Sequence, residues 1–513
     1  MPLLTHFRDG LHHTLFALTG NIQATSAYHP VNVYINGEYY GIYNAREKID
    51  RNFIKTNYGF SSDFDLLEYA FGYPGNRYAV EGSFQLYDSL TRFMNNNDIS
   101  LDENYNVVEK LMDVDKYIDY WIHEVYIGNF DWLCNNIKIY RPNNEDGRFS
   151  WILWDTDHGS GLPYGSYGKP EWRTLNWSLS TDQTRNAGGL ATIIQRNLAK
   201  NQGFRQKFVN RYADLLNTVY SYNVVEKLID SVYLMLQNDM VYHCSRWNIS
   251  YNEWVNAVEA MKDFHRKRPD FVIDDIKKCF LIEKTCTLTL KTNNQQSGVI
   301  RINTIVPVYN ENTWKGVYFS GIPVTLEAIP NEGYQFDGWK FSSLQEGNSL
   351  VVHLTSDSIV EAIFSPSASN PSKIIINEIG YANQLNSSGG DWIEILNLTG
   401  DRIFLNNWKL NAGSREFVLG NVELKNKEYL LITSTKSGIH QLEGKNIVIL
   451  NQFEIDDEGS VLRLLNESGT IVDEVEFKSN LPWPVLAGEG LFSLELIDPQ
   501  LDNAHPGNWK SSA

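Results

Sequence analysis

The chain has 513 residues, 42% of them hydrophobic, and a formal net charge of −18. That length is too great for one core and predicts about three domains, while the hydrophobic share excludes a disordered chain. The acidic balance excludes a duplex-binding protein, which needs a basic face for phosphate, and favours divalent cations.

Residues 1–283 mix strand and helix signals. Val31-Asn32-Val33-Tyr34-Ile35 alternates like a strand, Asn36-Gly37 is a two-residue hairpin turn, and 39–45 is the returning strand. Asp113 is a good helix N-cap for an apolar stripe through Val114, Ile118, Trp121, Ile122 and Val125, and Gly128 is the stop. A strand pair follows, 136–140 and 149–154, joined by the turn-rich stretch 142–147. Past residue 190 the spacing becomes helical: Phe204, Phe208, Tyr212 and Leu215, then Val225, Leu228, Ile229 and Val232, continuing to about Phe280. The first domain therefore reads as α+β, with a strand-rich first half and a helical second half. From Cys286 onward helix signals vanish. Residues 284–365 alternate in short runs, 366–372 read as a linker by composition, and 373–513 carry the regular turn spacing of a β-sandwich.

The dense basic run His265-Arg266-Lys267-Arg268 reads as a solvated helix end rather than a nucleic-acid patch. Aromatics at 13%, with 28 Tyr and 14 Trp, fit extracellular β-rich proteins and carbohydrate-handling surfaces, and equally fit large cores. The four cysteines have no CxxC spacing, which argues against zinc; Cys279 and Cys286 can pair in an oxidising compartment. No apolar run reaches about 18 residues, so no membrane span is expected. Met1-Pro2-Leu3-Leu4 leads straight into polar sequence without a visible signal peptide. Either the protein is cytoplasmic or its N-terminus lies outside this chain.

The richest stretch for chemistry is 127–159. Phosphoryl transfer needs one carboxylate to orient the attacking hydroxyl and accept its proton, and oxygen ligands to hold Mg²⁺ against the phosphates. Asp131 and Asn136 stand five apart, the second opening a strand. The next strand ends in Asp155-Thr156-Asp157-His158-Gly159, and the hairpin returns Asp155 beside Asn136. Asp131 then orients the hydroxyl, with Asn136 and Asp155 as metal ligands. The same residues also fit a plainer pattern, with Asp131 capping a turn and Asp155 and Asp157 in a loop after a strand. Arg46, Glu47 and Lys48, at the end of the second hairpin strand, are candidates for a nucleotide phosphate site, or simply a solvated strand end. Strand alternation puts Arg46 and Lys48 on one face and Glu47 on the other. His158 reads as a local hydrogen-bonding residue before a base or ligand. Paired carboxylates among many aromatics leave a glycan-active protein open as well.

The segment 32–50, with Asn36-Gly37-Glu38-Tyr39-Tyr40-Gly41-Ile42-Tyr43, resembles the hairpin of the spore-coat H (CotH) kinase family, and 127–159 is similar to that family's N-x-D, N-N and W-D-x-D core. The resemblance runs over about residues 5–280. It implies a kinase-like fold, ATP with Mg²⁺ or Mn²⁺, and transfer to protein serines, with Asp131 as the catalytic aspartate, Asp155 as the metal-binding one, Asn136 as the second metal ligand and Asp157 as a further candidate. It also implies an extracellular or surface setting and a protein or cell-surface partner, with no nucleic acid. Members carry further strands ahead of the point where this chain begins, so the domain is expected to be N-terminally incomplete, and its export signal to lie outside the chain. A non-catalytic adhesion or scaffold protein with a degenerate kinase fold is the alternative.

Val324-Thr325-Leu326-Glu327-Ala328, Gly333-Tyr334-Gln335-Phe336-Asp337-Gly338-Trp339 and Glu361-Ala362-Ile363-Phe364 resemble the internalin B-repeat, with Phe336 and Trp339 as its core and a spacer role. Ile375-Ile376-Asn377-Glu378-Ile379, Asp391-Trp392-Ile393-Glu394-Ile395 and Ile403 to Leu410 look like a lamin-tail domain, which implies an immunoglobulin-like sandwich. Glu378, Asp391 and Glu394 read either as a calcium site or as solvent-face strand residues.

Overall fold

The computed structural model describes residues 5–59, 63–70, 76–133, 135–144, 147–162, 168–181, 191–294, 296–331, 334–341, 343–345, 347–366, 374–381, 390–434, 446–480, 483–484 and 492–512. Two units follow from it: residues 1–288 with 316–324 and 352–358, and residues 289–315, 325–351 and 359–513.

The first unit begins with helix α1 (Arg8–Ala17), the hairpin β1 (Tyr28–Ile35) and β2 (Glu38–Arg46), and α2 (Arg51–Tyr58). Next come β3 (Phe64–Tyr69), β4 (Arg77–Glu81), α3 (Gln85–Asn96), α4 (Asp102–Leu111) and α5 (Val114–Ile127). The strands β5 (Ile137–Pro142) and β6 (Ser150–Ile152) precede α6 (Thr174–Ser178), α7 (Ile193–Leu198), α8 (Gln202–Leu216), α9 (Tyr222–Trp247) and α10 (Tyr251–Phe280). The expected strands are interleaved with more helices than the sequence reading gave the first half. The reason is visible in α4, which buries only Tyr105 and Val108 and so carries a weak apolar stripe.

Local chemistry sets the elements around the site. In the β1–β2 turn Asn36 and Gly37 both take positive φ, 52° and 86°, as a two-residue hairpin turn requires. The Asp113 carboxylate accepts the Lys116 N–H at 3.1 Å and opens α5, and Gly128 closes it in the left-handed conformation. Every residue of α5 from Tyr117 to Ile127 is buried, so this helix is the spine of the unit rather than a surface element. Its Trp121 packs on Phe208 of α8 with ring centroids 4.5 Å apart. Strands β4, β3, β5 and β6 form one sheet in that order, with β5 and β6 antiparallel and Lys138 opposite Ile152.

The basic run lies inside α10, not at a solvated helix end. His265 and Arg268 share one face and are fully buried, while Arg266 and Lys267 face water beside Asp263. Arg268 donates to the carbonyls of Val125 and Tyr126, at 2.6 and 3.0 Å, so its charge caps the last turn of α5. Cys244, Cys279 and Cys286 are free thiols, which sets aside the Cys279–Cys286 pairing. Cys134 lies outside the described residues.

In the second unit residues 326–330 pair antiparallel with 298–302, and 334–340 with 361–366. Trp339 is fully buried, touches Phe336 at 5.2 Å and donates its indole N–H to the Gly347 carbonyl at 2.9 Å. Gly333 of the repeat-like motif and most of the expected linker lie outside the described residues. Beyond residue 373 a six-stranded and a four-stranded sheet enclose a common hydrophobic cluster of Ile, Leu, Val and aromatic side chains, consistent with an immunoglobulin-like arrangement. The acidic residues read as a calcium site have structural partners there. Asp391 accepts the Ile455 N–H at 2.7 Å, and buried Glu394 accepts the Asn377 amide at 3.1 Å. Glu378 accepts the Ser493 hydroxyl.

Candidate active site

The site forms where α5 runs out into an irregular loop and β6 ends beside it. The Asp131 carboxylate accepts the side-chain amides of Asn135 and Asn136 at 3.1 and 3.2 Å. The Asn136 amide also donates to the Asp155 carbonyl at 3.3 Å. One asparagine thus ties the loop carboxylate to the turn after β6, and the three residues singled out from spacing converge. His158 stacks on Phe130 and places Nδ1 3.5 Å from Asp131, with Nε2 3.8 Å from Asp157.

The backbone here is unusual. Asn136 and Asp155 have φ of 54° and 52°, and the bulky Leu133 has φ of 73°. Asn and Asp tolerate the left-handed region, but a leucine there is strained and persists only because its surroundings hold it. These conformations turn Asn136 and Asp155 toward each other at the mouth of the β5–β6 ribbon.

Helix α1 backs the turn 155–160. Asp9 accepts the Thr156 N–H at 2.8 Å and the Thr156 hydroxyl at 2.9 Å, and forms an ion pair with Arg46. Buried Arg8 donates to the carbonyls of Gly159 and Ser160. His12 lies with Nδ1 2.9 Å from the Thr156 carbonyl and Nε2 2.7 Å from the Ser160 hydroxyl. A carbonyl only accepts, so His12 carries its proton on Nδ1 and takes the Ser160 hydroxyl hydrogen on Nε2. His13 accepts the Ser26 N–H on Nδ1, which turns its Nε2 proton toward Asp9 at 3.6 Å. Burial drives the His12 and His13 imidazoles to the neutral form. Burial also opposes the Asp9 charge, yet His13, Arg46 and the Thr156 N–H hold its carboxyl well below the usual range. None of these α1 residues was singled out from sequence. The available signal was the pairs Arg8/His12 and Asp9/His13, each four apart on one helix.

The metal candidates behave in the opposite sense to Asp9. Asp155 is exposed, but the protein around it partly desolvates it, and this with the charges of Asp157, Asp9 and Asp131 pushes its carboxyl up to about 6. Asp157 is also raised, by desolvation first and then by Asp9 and Asp131, although His158 and Arg8 partly offset this. A cluster that repels its own negative charge is one that a divalent cation relieves. Among the described residues no three Asp, Glu, His or Cys converge to hold a metal unaided. That donor set fits Mg²⁺, which commonly takes one or two carboxylates and completes its shell with water and phosphate oxygens.

The phosphate candidates fall in different places. Strand β2 ends at Arg46, so Glu47 and Lys48 lie in the connection to α2, where strand alternation no longer applies. The reason is Asp50, whose carboxylate accepts the Asn52 and Phe53 N–H groups and starts α2. Arg46 is committed to Asp9 and Ser26, and Glu47 accepts the Ala27 N–H at 2.9 Å. Lys48 is 87% exposed, with its ammonium 3.9 Å from Asp50. A second lysine, Lys138 on β5, is buried under Trp154 with its ammonium 4.3 Å from the ring centroid, and donates to Glu68 at 2.8 Å and to the Ile49 carbonyl at 3.2 Å.

Residues 5–272, just over half of the chain, match the CotH kinase protein family model. The chain belongs to the CotH kinase family. Residues 288–368 match the divergent InlB B-repeat domain and 367–479 the lamin tail domain, in the order expected. No curated protein matches this CotH family member. Among solved structures, a DUF4876 family protein from Bacteroides thetaiotaomicron is similar at 13% identity over 39% of this chain and 79% of that one, with a TM-score of 0.19, too slight a likeness to bear on fold or activity. Among the described residues no helix is long and apolar enough to cross a membrane.

Removing Asp9 tests how far α1 holds the CotH site together. Asp9→Ala leaves the Thr156 N–H without its acceptor and strips Arg46 of its ion pair, leaving it only Ser26, so stability is expected to fall by about 1–3 kcal/mol. Asp9→Asn, which keeps an acceptor oxygen, is expected to recover part of it. Urea denaturation of the full chain measures both, and equal midpoints for wild type and Asp9→Ala would remove α1 from the account.

Proposed function

We propose that this CotH family member transfers the γ-phosphoryl group of ATP to a serine hydroxyl of a protein. The observation that carries the reading is the single cluster in which the Asn136 amide bridges the Asp131 carboxylate and the Asp155 backbone. Asp131, half-open to solvent, orients the acceptor hydroxyl and takes its proton as the new P–O bond forms and ADP departs. Asn136 and Asp155 supply oxygen ligands for Mg²⁺ or Mn²⁺, with Asp157 beside them; the cation's part is to neutralise charge on the phosphates. Lys48 has the reach to contact phosphate. Arg46 acts behind it by fixing Asp9, and Glu47 holds the chain at Ala27.

Three domains are read along the chain, 1–283, 284–365 and 373–513, the first with a kinase-like fold. The two β modules serve as spacer and attachment pieces of a secreted or surface-associated protein; this rests on the family matches. The test is calorimetric titration of the full chain with ATP in the presence of Mg²⁺ or of EDTA, alongside transfer of labelled γ-phosphate to casein. Metal-dependent binding with label on serine is the expected result. Metal-independent binding, or no binding at all, would overturn the reading.

A further inference from the structure

We infer that Glu124 is a positioning residue that sets the place of Asp131 through Asn129. The activity side of this inference rests on the phosphoryl-transfer reading above, and its structural side does not. Glu124 is fully buried in the last turn of α5. A carboxyl there costs desolvation that an apolar residue would avoid, so its presence calls for a partner that needs it. That partner is Asn129, also fully buried, which donates its side-chain amide to Glu124 Oε2 at 2.9 Å and its backbone N–H to the Glu124 carbonyl at 3.2 Å. The opposite end of the same amide, Oδ1, accepts the Asp131 N–H at 3.0 Å.

The geometry leaves the amide one orientation. Its NH₂ faces the Glu124 carboxyl and its oxygen faces the Asp131 backbone, so both ends are used and neither can turn without losing a bond. Helix and loop are thereby joined across Gly128, whose left-handed conformation is the point at which the chain leaves α5. A second grip lies one turn earlier, where the Trp132 indole donates to the Tyr120 hydroxyl at 3.0 Å. The loop lies outside the ladder of β5, so Asp131 depends on these ties to α5. Arg268 holds the α5 end of the assembly by its bonds to Val125 and Tyr126.

The experiment compares Glu124→Leu, which keeps volume and removes the acceptor, with Glu124→Gln, which keeps an acceptor oxygen for Asn129. Hydrogen exchange of the 128–133 backbone in the full chain is the structural readout, and kcat and KM for ATP with casein are the functional ones. Glu124→Leu is expected to speed exchange at 128–133 and to lower kcat by about 10²-fold at little-changed KM, the scale of an ångström of misplacement. Glu124→Gln is expected to restore both. Asn129→Ala breaks the same link from the other side and replaces Glu124→Leu if that variant does not fold. Unchanged exchange in a folded Glu124→Leu or Asn129→Ala chain, or equal damage from Gln and Leu, would overturn the inference. A wild-type chain that transfers no phosphate defeats the functional reading instead, and the exchange comparison still decides the clamp.

Discussion

Asp131→Asn is expected to lower phosphate transfer by on the order of 10²–10⁴-fold while leaving the affinity for Mg²⁺ and ATP nearly unchanged. The amide keeps the shape of the carboxylate and leaves an oxygen facing Asn135 and Asn136, but it cannot take a proton from a hydroxyl. Asp155→Asn is expected to fail differently. Asparagine tolerates the φ of 52° at that position, so the turn survives while the metal loses an anionic ligand. Binding of ATP in the presence of Mg²⁺ should then weaken together with transfer. Single-turnover transfer and calorimetric binding, measured on both variants, separate the two roles. Two variants with the same profile would mean that Asp131 and Asp155 do not divide the work as proton acceptor and metal ligand.

What the sequence made legible was local chemistry. Asp113 and Gly128 announced the ends of α5 because capping involves side chains and backbone within one turn. Asn36-Gly37 announced the β1–β2 hairpin for the same reason. The meeting of Asp131, Asn136 and Asp155 was legible because a hairpin turns sequence spacing into proximity. Asp9 was not legible: its partner Thr156 is 147 residues away, and no local pattern encodes that contact. The basic run at 265–268 misled because composition does not say which side of a helix is buried. Spacing alone cannot distinguish a solvated Arg268 from one buried on the carbonyls at the end of α5. Arg46 and Lys48 were placed on one face by strand alternation, an inference that failed when the Asp50 cap ended the strand early. In the C-terminal domain Glu394 read as a calcium ligand or a solvent-face residue, yet its burial beside Asn377 depends on how β-strands stack, which alternation leaves undetermined.

Between pH 6.5 and 8 the first unit is expected to lose about 2 kcal/mol of stability relative to its Glu124→Gln variant. Burial, with a smaller contribution from the Asp9 charge, pushes the Glu124 carboxyl up to about 8, although the bonds from Asn129 and Tyr120 work the other way. The folded chain therefore keeps a proton that the unfolded chain has released at an ordinary carboxyl value. The stabilisation is complete below that ordinary value and disappears as pH rises through about 8. Other groups titrate near or inside the same window. Asp155, raised to about 6, acts in the same direction and is largely spent below the window. The imidazoles of His6, His12, His13, His123, His243 and His265 are depressed by burial and act oppositely, costing stability as pH falls through the ordinary histidine value. An unfolded histidine is still about half protonated at pH 6.5, so these groups add stability across the window; Glu124→Gln carries the same histidines, and the difference between the two chains isolates Glu124. Hydrogen exchange of α5 peptides as a function of urea and pH reads the first unit within the full chain. Parallel curves for wild type and Glu124→Gln would mean that Glu124 is already ionised in the folded protein, with Asn129 rather than a proton satisfying its charge.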